Sequence, residues 1–118
     1  MDSILTSIKK LLNIGEEYTH FDADIIMDIN TVFMSLKQIG IGPNEGFMIE
    51  DDSATWDEYI NIEEDPSKKT LLSAVKSYIH LKVKLEFDPP INASVIESIN
   101  KRIAELEWRL NVEAESKQ

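Results

Sequence analysis

The double proline Pro89-Pro90 divides the second half of this chain into two long segments that must fold as separate elements. A residue before proline is pushed out of the α region, and proline has no N–H to continue a helix. Behind the stop, Ile96, Ile99, Ile103, Leu106 and Leu110 step by three, four, three and four, which is one apolar face of a helix. Asn92 or Ser94 is placed to cap that helix, and Glu97 with Lys101 and Glu105 with Arg109 are i,i+4 pairs in the favourable order. Ahead of the stop, Pro66 to Phe87 runs without an internal breaker and is rich in good helix formers. Within it, Ile79, Leu81, Val83, Leu85 and Phe87 alternate with His80, Lys82, Lys84 and Glu86, which taken alone is strand spacing. The unbroken context predicts helix through to Asp88, and the joint reads as two packed helices.

The first half follows the same logic. Ile4, Leu5, Ile8, Leu11 and Leu12 form a stripe that predicts a helix over Ser3 to Ile14, with Gly15 as its left-handed stop. A second helix is expected over Asp22 to Ile39, with Asp22 as N-cap and Phe21 and Ile26 as a hydrophobic staple. Its face is Ile25, Ile29, Val32, Leu36 and Ile39, and Gly40-Ile41-Gly42-Pro43 ends it. Asp65 and Pro66 are suited to N-cap and N1 of the third helix. The fold class expected is all-α: a small bundle of about four helices, with a long irregular acidic loop between the second and third. In that loop Gly46 to Glu50 is a candidate short strand, and Thr55 is placed to cap a brief turn through Tyr59. Ile29, Leu36, Val75, Ile79, Ile99, Ile103 and Leu106 are the expected core. The chain reads as a single domain over 1–118, with a flexible tail at about 112–118.

Charge limits what such a bundle does. The chain carries 22 acidic and 12 basic residues, a net charge of −10. Seven acids stand between Glu45 and Asp65 (Glu50, Asp51, Asp52, Asp57, Glu58, Glu63 and Glu64) with no Lys or Arg among them. Gripping nucleic acid needs clustered cations, so the acidic surface suits solubility, letting DNA pass, or imitating DNA. There is no cysteine, which excludes disulfides and thiolate metal sites and fits a reducing compartment. No apolar run nears the roughly 20 residues that span a bilayer, and Met1-Asp2-Ser3-Ile4 lacks the basic leader of a signal peptide.

Catalytic constellations are absent from the pattern. His20 and His80 lie far apart with no HxxE or HxxxH spacing, so no metal site is expected. Glu50-Asp51-Asp52 with Asp57 lacks the alternation and central glycine of a calcium loop and reads as a solvated acidic loop. Gly40, Gly42 and Gly46 precede no Gly-Lys-Ser or Gly-Lys-Thr, and no glycine-framed nucleophile occurs. Neither a cofactor nor an enzymatic activity is expected. Trp108, beside Arg109, is off the centre line of the last apolar stripe, fitting a core-edge residue or a subunit contact equally.

Taken in order, the second helix with Gly40-Ile41-Gly42-Pro43, the Glu50-Asp51-Asp52…Thr55-Trp56 loop, Tyr78…Leu81 to Pro90, and Glu105-Leu106-Glu107-Trp108-Arg109-Leu110-Asn111 form a recognisable set. The chain resembles the small head–tail connector (head-completion, or adaptor) proteins of long-tailed bacteriophages and Gram-positive prophages. The resemblance covers nearly the whole chain, departing only in the charged C-terminal tail. It implies a helical virion protein without an active site, assembled in the host cytoplasm. It also implies a ring, commonly dodecameric, beneath the portal protein, which extends the DNA channel and meets the next connector or tail protein. Related subunits are often monomeric before they meet the portal. On this basis Phe47, Ile49, Glu50, Asp51, Asp52, Trp56 and Tyr59 are expected at a subunit interface or the channel. Trp108, Arg109, Asn111 and Val112 are expected to dock on the portal. The alternative from another class is a small acidic helical regulator or DNA mimic that binds a DNA-binding protein.

Overall fold

The computed structural model describes residues 3–116, and among these there are five α-helices and no strand. They are α1 (Ile4–Leu11), α2 (Asp22–Ile39), a single turn α3 (Trp56–Tyr59), α4 (Lys69–Phe87, entered through a 3₁₀ turn at Pro66–Lys68) and α5 (Ala93–Glu115). The molecule is 22 Å across its thinnest direction. Helix α4 is the central element, packed against α1, α2 and α5, while α2 and α5 also touch where Gly40 meets Ala114.

That central position explains the alternating run before Pro89. Ile79 and Val83, four apart, are fully buried in the core. Leu81 is turned about 200° from Ile79 at 100° per residue, and it faces Val95 and Ile99 of α5. A helix covered on two opposite sides shows apolar residues at both phases, which imitates strand alternation. The expected helix holds through Phe87.

Local signals account for most boundaries. At the end of α2, Gly40 takes φ 105°, its N–H bonds to the Lys37 carbonyl and that of Ile41 to Leu36, the paired bonds of a Schellman stop. Asn92 caps α5 by accepting from the Ser94 N–H at 2.8 Å, and Asp65 accepts from the Ser67 N–H at 3.2 Å ahead of α4. Helix α1 ends at Leu11, earlier than expected, and its left-handed residue is Asn13 (φ 63°), not Gly15. The Ile14 and Asn13 N–H groups close the same Schellman pair onto Lys9 and Lys10.

Asp22 does not cap α2. Phe21 takes the cap position without a side-chain bond, and Phe21 packs edge-on to Phe87 at 5.3 Å. The Asp22 carboxylate instead lies 2.9 Å from Nζ of Lys9 as its ion-pair partner. Lys9 is 2% exposed and donates to the Glu16 carbonyl at 3.0 Å, so the loop between α1 and α2 folds around one buried cation. Of the expected core, Ile29, Leu36, Val75, Ile79 and Ile103 are buried, while Ile99 and Leu106 pack partly buried against it.

Candidate assembly surfaces

The loop between α2 and α4 is held to the bundle at three places. The Asn30 side chain pairs with both backbone groups of Ile49, accepting from its N–H at 2.8 Å and donating to its carbonyl at 3.0 Å. This amide does for Ile49 what a neighbouring strand would do, which is why Gly46 to Glu50 needs no sheet and forms no strand. Phe33, Phe47 and Tyr59 form a triangle with ring centroids 4.8 to 5.2 Å apart. Trp56 donates its indole N–H to Ser7 Oγ at 3.1 Å, while Lys76 Nζ sits 5.3 Å from the Trp56 ring centre. Thr55 begins the turn without a side-chain cap bond; its neighbour Ala54 accepts from the Ile4 N–H at 2.9 Å.

These anchors divide the residues expected at an interface. Ile49, Trp56 and Tyr59 are buried inside their own subunit, and Phe47 is partly buried in the aromatic triangle. Burial raises the Tyr59 hydroxyl pKa well above its ordinary value, so it stays neutral. Glu50, Asp51 and Asp52 are exposed, together with Met48 at 70%. Asp51 shapes the turn by accepting from the Ser53 hydroxyl and N–H at 2.5 and 2.8 Å, and those bonds hold its carboxyl below the usual range. The loop therefore presents a rigid acidic tip standing on an apolar foot.

At the far end of α5 the division runs along one helix. Leu110 and Ala114 are buried, Ala114 lying against Gly40, where an added Cβ would meet it at 3.3 Å. Trp108 is 67% exposed and Val112 45%, four residues apart on the opposite face. Arg109 is exposed and paired with Glu105 at 3.0 Å, and Asn111 donates to the Glu107 carbonyl at 2.9 Å. Of the tail expected to be flexible, residues 112–115 continue the helix, Ser116 follows it, and Lys117 and Gln118 lie outside the described residues. The helix is fastened internally by Tyr78, whose hydroxyl donates to Glu107 at 2.9 Å. Burial first, then Glu107, raises the Tyr78 pKa, so that donor is permanent at any working pH.

Sequence reasoning missed two surfaces. Met27 and Met34, seven apart on α2, are exposed at 68% and 64% although their helix is otherwise a core element. A polar groove also runs between α4 and α5, with hydroxyls of Thr70, Ser73 and Ser77 on one wall and Lys101, Arg102 and Arg109 on the other. The hydroxyl spacing of three and four was its available signal. Among the described residues no group of His, Asp and Glu is arranged to hold a metal ion, and no helix is long and apolar enough to cross a membrane.

The family profile described as phage connector protein matches residues 4–117, and the chain belongs to that family. It is thus a structural connector component of a bacteriophage virion. Comparison with curated proteins and with solved structures gave no significant match.

Proposed function

We propose that this chain is one subunit of a ring that sits beneath the portal, extends the DNA channel and joins the head to the tail. The observation that carries this reading is Trp108: a large aromatic side chain, 67% exposed, on the rigid end of α5. Tryptophan is enriched at interface hot spots, and Trp108 with Val112 four residues on presents an exposed apolar pair on one face of the helix. Trp108 and Val112, with Arg109 and Asn111 beside them, are the surface for the portal. The acidic tip at Glu50, Asp51 and Asp52 serves a subunit contact or the channel, where carboxylates repel phosphate and let DNA pass unbound. The net charge of −10 agrees with a duct that does not grip its cargo. The lower face of the ring meets the next connector or tail protein, and assembly takes place in the host cytoplasm.

The test is to mix the purified chain with the portal protein of its own phage and examine the product by electron microscopy and sedimentation. A stoichiometric ring on the portal is the expected product, dodecameric where the portal is. Trp108→Ala should abolish or weaken that binding by about tenfold or more, as hot-spot truncation does, with an unchanged thermal melt. A chain that never binds portal, or a Trp108→Ala variant that binds as wild type does, overturns the assignment at the corresponding level.

A further inference from the structure

The groove between α4 and α5 has no role within the subunit. Its volume is about 600 Å³, and its walls carry the hydroxyls of Thr70, Ser73, Ser77 and Ser98 with three cations and one carboxylate, Glu105, which Arg109 neutralises. Three of the 12 basic residues of an acidic chain gather there. Lys101 reaches Glu97 at 3.8 Å and Arg109 reaches Glu105 at 3.0 Å, whereas Arg102 makes no ion pair among the described residues. A guanidinium fork flanked by hydroxyl donors fits carboxylates, which it binds by two parallel hydrogen bonds.

The surface of matching charge is on the same molecule. The exposed tip Glu50, Asp51 and Asp52 belongs to a stretch with seven acids and no cation between Glu45 and Asp65. It is pinned to α1 and α2 through Trp56–Ser7 and Asn30–Ile49, whereas α4 and α5 bound the groove. On α4, Thr70, Ser73 and Ser77 lie roughly opposite the core residues Leu71, Val75 and Ile79 by helical geometry of 100° per residue. Tip and groove hydroxyls thus lie on different faces of the subunit, which leaves the groove of another copy as the partner open to the tip. A contact between two unlike patches of identical chains is head-to-tail and closes into a ring when the rotation allows.

We infer that the acidic tip of one copy seats in the α4–α5 groove of the next, with Arg102 as the anchor for the tip carboxylates. This deepens the ring reading and rests on it. Double-stranded DNA is the weaker occupant. Two of the three cations are already paired, and duplex binding requires a row of uncompensated ones.

Charge exchange tests the contact. One variant carries Glu50→Lys and Asp52→Lys, which leaves the turn-forming Asp51 in place; the other carries Lys101→Glu and Arg102→Glu. Wild type, each variant and their equimolar mixture are compared by sedimentation velocity, alone and with portal, at about 50 mM and about 500 mM salt. Self-association of each variant is expected to weaken by about tenfold or more and to recover in the mixture, where every tip again meets a groove of opposite charge. Wild-type self-association should fall with salt. Arg102→Ala, a better helix former than the reversal, carries the test if charge reversal disturbs α5. Variants that assemble on portal as wild type does, or a mixture no better than its components, overturn the contact while leaving the ring reading intact. A wild-type chain that neither self-associates nor binds portal removes both. A labelled duplex that binds wild type and is released by the groove variant, with self-association unchanged, assigns the groove to DNA instead.

Discussion

Replacing Asn30 with alanine removes the partners of both backbone polar groups of Ile49 at once. Ile49 is 2% exposed, and its N–H and carbonyl are held by the Asn30 amide at 2.8 and 3.0 Å. A buried donor or acceptor left without a partner costs about 1–3 kcal/mol each. Asn30 is itself half-buried, so water can reach part of the gap, and the expected total is about 2–4 kcal/mol rather than the upper sum. A domain of this length holds about 6–18 kcal/mol, so the variant folds but its urea midpoint falls by about 1–2 M at a slope near 2 kcal/mol/M. Asn30→Asp is no rescue, because it keeps the acceptor but sets a carboxylate oxygen against the Ile49 carbonyl. Hydrogen exchange supplies the local readout: the Ile49 amide should lose protection before the amides of α4 do. Loosening the loop should also weaken the tip-to-groove contact. A stability loss below about 0.5 kcal/mol, with the Ile49 amide still protected, would refute the view that Asn30 stands in for a strand.

Four further outcomes are expected. Asp22→Asn leaves the Lys9 ammonium buried without its counter-charge and should cost about 2–3 kcal/mol in denaturant melts, discounted for the part-exposed carboxylate, whereas Lys9→Met should be nearly neutral; equal losses would show that packing, not charge, governs the site. Gly42→Ala should cost about 2–4 kcal/mol, since φ is +93° and the new Cβ would lie 2.7 Å from the Tyr59 ring, while Gly40→Ala, meeting only Ala114 at 3.3 Å, should cost about 1–2; a melt that ranks them the other way contradicts this. The His80 pKa is lowered from 6.5 by burial first and then by Lys84, against a hydrogen bond to the Leu11 backbone. Its contribution to stability is therefore complete above pH 6.5 and lost as pH falls through the lowered value. Asp28 has the opposite sign: burial first, then Glu86 and Asp24, raise it from 3.8, so its contribution is complete below pH 3.8 and lost as pH rises through the raised value. Stability measured against pH should lose the His80 slope in His80→Gln, and Asp28→Asn should gain stability at neutral pH; a His80→Gln curve with the wild-type slope would reject the assignment.

Helix identity and most boundaries were legible in the sequence, because capping is local chemistry. Gly40, Asp65 with Pro66 and Asn92 each act within a few residues of their own position, and the two heptad-like faces need only a partner of the same kind. The first helix was overrun because Asn13, tolerant of the left-handed region, stops it before Gly15 can. The loop was another matter. Its composition marks it as acidic and aromatic, and nothing in that composition says which aromatics face inward. Trp56 is settled by Ser7, 49 residues away, and Ile49 by Asn30, 19 away.

The double proline thus determined by itself that two long helices meet at a sharp joint, since no backbone continues a helix through it. Apolar spacing behind the stop, and the unbroken run of helix formers ahead of it, determined that the partners are helices and not a sheet. Only the tertiary structure decided that α4 is the central element, that Lys9 is a buried cation, and that Trp56 is interior while Trp108 is exposed. The reason is physical. Spacing reports which residues share a face, whereas burial depends on what stands opposite that face, and the opposing residue is supplied by a distant part of the chain.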